Sequence, residues 1–205
     1  LGKLLIAAGE KLIHPNNQPT DSFITTDYAR ELPMNFSFAG YRFFPTLLGW
    51  LVAPLLYLIL LLLLRSPPSA AVFSFLYVFD NALIVHTRGA MLDSTLIFFC
   101  VLGTLAFLLQ IEWQKQRGKF LAASLLFGTA CGAAATTKET GMILLLLPCF
   151  LVWKLWPNRD AIGRGLMASI VAFAVVFIGV WYAHFALGSR IEPTLPDQGF
   201  YQASD

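Results

Sequence analysis

The stretch FFPTLLGWLVAPLLYLILLLLL, residues 43–64, decides the fold class. It carries no charged residue and is followed directly by Arg65. A helix needs about 20 apolar residues to cross a hydrocarbon core about 30 Å thick. The run therefore predicts a transmembrane helix. Pro45 suits its first turn, and Pro54 should kink its interior.

The whole composition agrees with a membrane protein. Hydrophobic residues make up 57% of the 205 residues, charged residues 13%, and 18 residues are Phe. An ordinary soluble domain of this length is excluded. Further apolar runs predict five more spans, at residues 69–87, 94–113, 120–137, 142–156 and 166–187. We expect an all-α polytopic bundle of about six spans, with the Gly- and Ala-rich run at 120–137 in its centre because small residues allow close helix approach.

The chain reads as one transmembrane domain over residues 1–205. Residues 1–42 form an outer region, 43–187 the six spans, and 188–205 the start of another outer loop. Residues 1–13 are too short to span, and Leu4, Leu5, Ala8 and Leu12 share one face, which is typical of an amphipathic surface helix. The alternative is the tail of a preceding transmembrane helix. Because the chain begins within a helical pattern, we expect it to be part of a longer protein.

The basic residues of the short loops predict the orientation. Most of them fall on one side of the predicted spans, and this side is expected to face the cytoplasm. They are Arg65, Lys115, Arg117, Lys119, Lys154, Arg159 and Arg164. The opposite side, with Arg88 and Lys138, then faces outward.

Several kinds of function are disfavoured. A net charge of +2 without a long basic patch argues against nucleic acid. Cys100, Cys131 and Cys149 lie in apolar runs without CxxC spacing. His86 and His184 are not clustered with other ligands. We therefore expect no metal and no cofactor.

The stretch FDNALIVHTRGAMLDS, residues 79–94, brings ionisable groups to the outer membrane boundary. Such groups are costly there and usually line a site or a water-filled cavity. Arg88 and Asp93 either pair with each other, or Arg88 holds a phosphate while Asp93 orients an acceptor or supports a catalytic acid. Asp80 and Asn81 lie deeper and could instead serve only to hydrogen-bond neighbouring helices.

Two more outer positions carry cations. Arg42 begins the first span, where it either snorkels to the headgroups or binds a lipid phosphate in a bidentate manner. Lys138 and Glu139 are adjacent and so do not share a helix face. We expect Lys138 to point at a phosphate and Glu139 to cap the next helix. With Arg88 and Asp93, these residues predict one outward cavity for an anionic lipid head.

Four motifs in order resemble the protein O-mannosyltransferase family, the dolichyl-phosphate-mannose–protein mannosyltransferases of the GT-C fold. They are LGKLLIAAGE, GYRFFPTLLG, FDNALIVHTRGAMLDSTLIFF and GAAATTKETG, and the resemblance covers residues 1–156. It implies a multi-span glycosyltransferase that moves mannose from a dolichyl- or polyprenyl-phosphate carrier to Ser or Thr hydroxyls of proteins on the non-cytoplasmic face. It implies no metal. A dimer is one assembly that the sequence leaves open.

The resemblance also implies roles for residues. Arg42, Arg88 and Lys138 would bind the donor phosphate. Asp93, the outer-turn partner of Arg88, would support catalysis, with Asn81 and Glu139 as further candidates. The family's catalytic Asp-Glu pair precedes the motif that ends in Leu1-Gly2-Lys3, so no acid of this chain takes that role. The implied mechanism is a single inverting displacement.

Two alternatives stay open. Related GT-C enzymes use lipid acceptors, and fold alone does not fix the acceptor. A transporter or flippase of an anionic lipid-linked substrate would place its site near the midplane, often with repeat symmetry, and neither feature is evident. The phrase VHTRGAMLDS favours a prokaryotic plasma membrane, whereas a eukaryotic member would reside in the endoplasmic reticulum.

Overall fold

The computed structural model describes residues 1–13, 37–89, 91–156 and 158–188, with Arg88 described by its backbone alone. Of the expected outer region 1–42 and outer loop 188–205, residues 14–36 and 189–205 lie outside the described residues. The helices are α1 (Gly2–Ile13), α2 (Ala39–Leu64), α3 (Pro67–Phe79), α4 (Asn81–Arg88), α5 (Leu92–Glu112), α6 (Arg117–Thr137), a 3₁₀ segment (Glu139–Leu146), α7 (Leu147–Lys154) and α8 (Arg159–Gly188).

The all-α polytopic fold is confirmed. Among the described residues, α2, α5, α6 and α8 are each long and apolar enough to cross a membrane, and α3 with α4 forms a bent pair that would be a fifth crossing. Bilayer thickness sets the length of these helices, which is why apolar runs predict them.

The second predicted span, 69–87, is broken rather than continuous. The chain bends by 63° between α3 and α4. At the bend, the carboxylate of Asp80 accepts a hydrogen bond of 3.0 Å from the backbone N–H of Leu83. Asp80 therefore acts as the N-cap of α4 and begins a new helix.

The predicted span at 142–156 is also not a single α-helix. Lys138 has an extended backbone (φ −155°, ψ 143°), and the 3₁₀ segment and the short helix α7 follow it. A Cβ on Gly141 would lie 2.5 Å from the backbone of Ala134, so this segment lies tightly against α6. This contact holds the reversal close to the end of α6.

Helix α6 is the centre of the bundle, as its small residues predict. The buried share of its apolar window is 61%, against 11–39% for the other three long helices. A Cβ on Gly128 would collide with the backbone of Ser169 in α8, and one on Gly132 would lie 2.9 Å from the carbonyl oxygen of Phe173. Glycine at these positions allows α6 and α8 to cross in close contact.

One end of the bundle carries the basic loops, as the predicted orientation requires, and we call it the inner end. Arg65, which follows α2, makes two hydrogen bonds to Glu112 at the end of α5, the longer being 3.2 Å. The hydrogen bonding to Glu112, together with the negative charge of that carboxylate, raises the pKa of Arg65. The contact fixes the inner ends of α2 and α5 to each other.

Helix α1 lies across the opposite end, which we call the outer end. Gly9 packs against the carbonyl oxygen of Gly40 in α2, and Gly2 packs against Leu92 and Thr137. The predicted helix is therefore present, but glycines rather than leucines form its stripe against the bundle. Leu12, on the predicted apolar face, is 70% exposed.

Candidate functional site at the outer end

An ion pair joins two helices at the outer end. Asp93 lies in the first turn of α5, where the helix dipole favours a carboxylate. Lys138 follows the last residue of α6, and its Nζ lies 3.0 Å from Oδ1 of Asp93. Both side chains are partly exposed, at 51% for Lys138 and 36% for Asp93. The pair therefore presents a positioned ammonium group to the outer surface.

Pairing of Asp93 with Arg88 was one of two alternatives that the sequence left open. The side chain of Arg88 lies outside the described part of the structure, so that alternative stays a prediction. Arg88 is the last residue of α4. The preceding residue, Thr87, packs on Gly49 of α2, where a Cβ would lie 2.6 Å from the Cβ of Thr87. The backbone of Arg88 thus lies close to the part of α2 around Gly49, and the role of Arg88 as a phosphate ligand stays a prediction.

Arg42 is exposed near the start of α2. Its guanidinium carbon lies 4.9 Å from the centre of the Phe38 ring, a cation–π contact. Arg42 also lines an open groove of about 390 Å³, whose other walls include Phe43, Leu47 and Trp50. An exposed cation above an apolar groove fits both predicted roles, snorkelling and phosphate binding. This groove does not include Asp93 or Lys138.

The two weaker candidates lie at the starts of neighbouring elements. Asn81 is the first residue of α4, and Glu139 is the first residue of the 3₁₀ segment; both are exposed. In the part of the chain that the structure describes, no side chain caps the 3₁₀ segment, so the cap expected from Glu139 is absent. Asp80, expected to bond a neighbouring helix, instead caps its own helix.

A cavity that the sequence did not predict lies beside the ion pair, enclosed by α1, α5, α6 and α8. Its volume is about 210 Å³, and its lining includes Lys3, Leu92, Thr136, Thr137, Trp181 and His184. The rings of Trp181 and His184 meet edge to face at 5.8 Å. Within the described residues, no three His, Cys, Asp or Glu side chains cluster as metal ligands.

Fold and surface together define a polytopic helical membrane protein with cations at its outer face. A family profile described as dolichyl-phosphate-mannose-protein mannosyltransferase matches residues 1–188. The chain belongs to this family.

Individual relatives agree. The chain is 30% identical to Protein O-mannosyltransferase 1 of Drosophila melanogaster, over 94% of this chain and 23% of that protein. It is 27% identical to dolichyl-phosphate-mannose–protein mannosyltransferase 1 of Schizosaccharomyces pombe, over 93% and 22%. The chain thus spans about a quarter of the length of these relatives.

A solved structure has the same fold. The S. cerevisiae protein O-mannosyltransferase Pmt1-Pmt2 complex bound to the sugar donor matches with a TM-score of 0.74 and 20% identity. The match covers 91% of this chain and 26% of that one. These relatives are eukaryotic, so the expectation of a prokaryotic plasma membrane is not supported, whereas a multi-pass membrane protein is.

Proposed function

We propose that the protein transfers mannose from a dolichyl- or polyprenyl-phosphate carrier to Ser or Thr hydroxyls of proteins on the non-cytoplasmic face of the membrane. The observation that carries the proposal is the family match over residues 1–188. The names of the fly and fission yeast relatives support it. So does the donor bound in the yeast complex.

The chemistry needs positive charge where the phosphate departs. The acceptor oxygen attacks the anomeric carbon, the bond from that carbon to the phosphate oxygen breaks, and its electron pair stays on the phosphate. Preorganised cations that meet this developing charge lower the barrier. We assign this role to Arg42, Arg88 and Lys138 at the outer end. A carboxylate, which the family resemblance places upstream of Leu1, receives the proton of the hydroxyl.

The ion pair fits this assignment. An ammonium group has three N–H donors. Lys138 gives one to Asp93, at 3.0 Å, and keeps two for a phosphate. Asp93 in turn fixes the ammonium at the end of α6, so we assign Asp93 a positioning role and not that of the base.

The test is mannose transfer by the full-length protein that carries this sequence, purified in detergent. The donor is dolichyl-phosphate mannose with labelled mannose, and the acceptor is a Ser/Thr-rich peptide. We expect labelled peptide from the parent, strongly reduced in Arg42→Gln and Lys138→Gln. Arg159→Gln is the matched control, because Arg159 lies at the inner end, 5.3 Å from the Trp156 ring.

The outcomes separate the alternatives. Labelled lipid in place of labelled peptide would move the acceptor to a lipid. No transfer, combined with donor-dependent transport in vesicles, would favour a flippase. Equal loss of transfer in Arg159→Gln and Lys138→Gln would remove the outer end as the site.

We also propose that the protein works as a dimer in the endoplasmic reticulum membrane. Support comes from the two-subunit composition of the yeast complex and from the eukaryotic origin of the relatives. Co-purification of two differently tagged copies, or of one copy with a second family member, tests the dimer. A single subunit by light scattering in active preparations would contradict it.

A further inference from the structure

A second groove lies at the inner end of the bundle, between α6 and α8. Its volume is about 440 Å³. Its lining combines two arginines with an apolar wall: Arg117, Phe120, Leu121, Leu125, Arg164 and Met167 are among its residues. The proposed transfer reaction at the outer end does not use this groove.

Helix packing explains why the groove is open. Higher in the bundle, α6 and α8 touch closely: the Ser169 hydroxyl donates to the Ser124 carbonyl oxygen at 3.0 Å, and a Cβ on Gly165 would lie 2.8 Å from the Phe120 ring. Gly163 lies two residues before Gly165 on a different face of α8, and a Cβ there would meet no atom within 4 Å. The groove therefore lies open beside the close α6–α8 contact.

The floor and the walls of the groove are apolar. Phe120 is 3% exposed and forms its floor together with Ala168. Leu121, Leu125 and Met167 also line it, and their side chains are exposed. In a membrane protein, such exposed apolar walls face lipid chains.

The charge at the groove is positive. Arg117 comes from α6 and Arg164 from α8. Among the residues that the structure describes, no carboxylate forms an ion pair with either guanidinium. The nearest acid in sequence is Asp160, one turn before Arg164, and it lines a separate hollow with Arg159.

We propose that this groove binds an anionic phospholipid of the cytoplasmic leaflet, with its phosphate between Arg117 and Arg164 and an acyl chain along the apolar wall. The positive-inside rule places the inner end at that leaflet. Basic pockets between transmembrane helices on the cytoplasmic side suit anionic headgroups, and arginine suits phosphate because of its bidentate geometry.

Native mass spectrometry of the full-length protein tests the proposal. The protein is reconstituted with a mixture of phosphatidylserine and phosphatidylcholine, and the retained lipid is quantified. We expect preferential retention of phosphatidylserine. Arg117→Gln and Arg164→Gln should each lower it about fivefold, and the double variant by more than tenfold, because each basic residue contributes separately. Lys119→Gln, a neighbouring cation outside the groove lining, should leave retention unchanged.

A second variant tests the groove with both arginines intact. Gly163→Leu places a side chain in the open space of the groove and should abolish retention. Gly179→Leu is the matched control on the same helix, because a Cβ there also meets no atom within 4 Å. Gly163→Leu should keep the thermal stability of the parent, which shows that the loss arises from blocking and not from unfolding.

Four results would overturn the proposal. The first two are equal retention of phosphatidylcholine and full retention of phosphatidylserine in the double arginine variant. The others are release of the bound lipid by inorganic phosphate, and a large loss of stability in Gly163→Leu without any lipid bound to the parent. The last result would show that another segment of the protein fills the groove.

Discussion

The outer ion pair has two roles to separate, a contribution to folding stability and a contribution to the rate of mannose transfer. Replacing Lys138 by Gln separates them, because the two expected effects differ in size. At 3.0 Å in water, two unit charges attract by about 1.4 kcal/mol. Because both side chains are partly exposed, solvent screening and side-chain entropy reduce this to less than about 1 kcal/mol of unfolding free energy. Loss of one preorganised donor at a developing anion costs about 10²–10³ in rate. Lys138→Gln should therefore lower transfer about a hundredfold while hardly changing stability.

Asp93→Asn is the matched variant. It removes the same ion pair but leaves the ammonium of Lys138 in place. We expect a similar small loss of stability and a rate loss below about tenfold, since only the positioning is weakened. Initial rates of mannose transfer and unfolding of the same preparations by SDS titration give both numbers.

One pattern would refute the reasoning. If both single variants and the double variant lose the same modest amount of rate, Lys138 serves only to hold α6 to α5. Full activity in Lys138→Gln would lead to the same conclusion.

Three further predictions concern packing, capping and metal independence. Gly128→Ala should destabilise the bundle by about 1–2 kcal/mol, because overpacking against the backbone of Ser169 outweighs the gain in helix propensity. Gly179→Ala, by contrast, should be neutral or stabilising by up to about 1 kcal/mol. SDS titration measures both variants, and stability shifts in the same direction would contradict the α6–α8 contact. Asp80→Ala should lower the free energy of unfolding by about 1 kcal/mol, because it removes the hydrogen bond from the N–H of Leu83. Asp80→Asn should keep this stability, since Asn caps a helix equally well. Equal losses of stability in thermal unfolding of the two variants would exclude the cap. Mannose transfer should be unchanged after dialysis against EDTA, since the family resemblance implies a reaction without a metal. Activity that is lost and then restored by a divalent cation would contradict this.

The parts of the fold whose length is set by the thickness of the bilayer were predictable from the sequence. The bilayer requires about 20 apolar residues per helix, so residues 43–64 gave α2 almost unaided. Small residues likewise predicted the central position of α6. The apolar run of α2 and the small residues of α6 each lie in one continuous stretch, which is why a single sequence shows them.

Breaks in the helices were harder to predict. Asp is a residue type that favours N-caps, but the apolar run around Asp80 predicted one continuous span over 69–87. The 3₁₀ segment had no such signal, because it accompanies a contact of Gly141 with Ala134. Contacts of this kind depend on how the chain folds back on itself.

The roles of the candidate site residues stay predictions, although the sequence shows each outer cation as a charge beside an apolar run. The contact of Lys138 with Asp93 was not predicted, because the two residues are 45 positions apart in the chain. The cavity beside the pair combines four helices and has no signature in any one of them.

Photo-crosslinking of the donor lipid tests the location of the site most directly. A dolichyl phosphate analogue with a diazirine in its first isoprene unit would be bound to the full-length protein, irradiated, and the labelled peptides mapped. We predict labels at the outer end, near Arg42 and near the Asp93–Lys138 pair, that are lost in competition with unmodified dolichyl-phosphate mannose. Competable labels confined to the inner ends of α6 and α8, with none at the outer end, would contradict an outward-facing donor site.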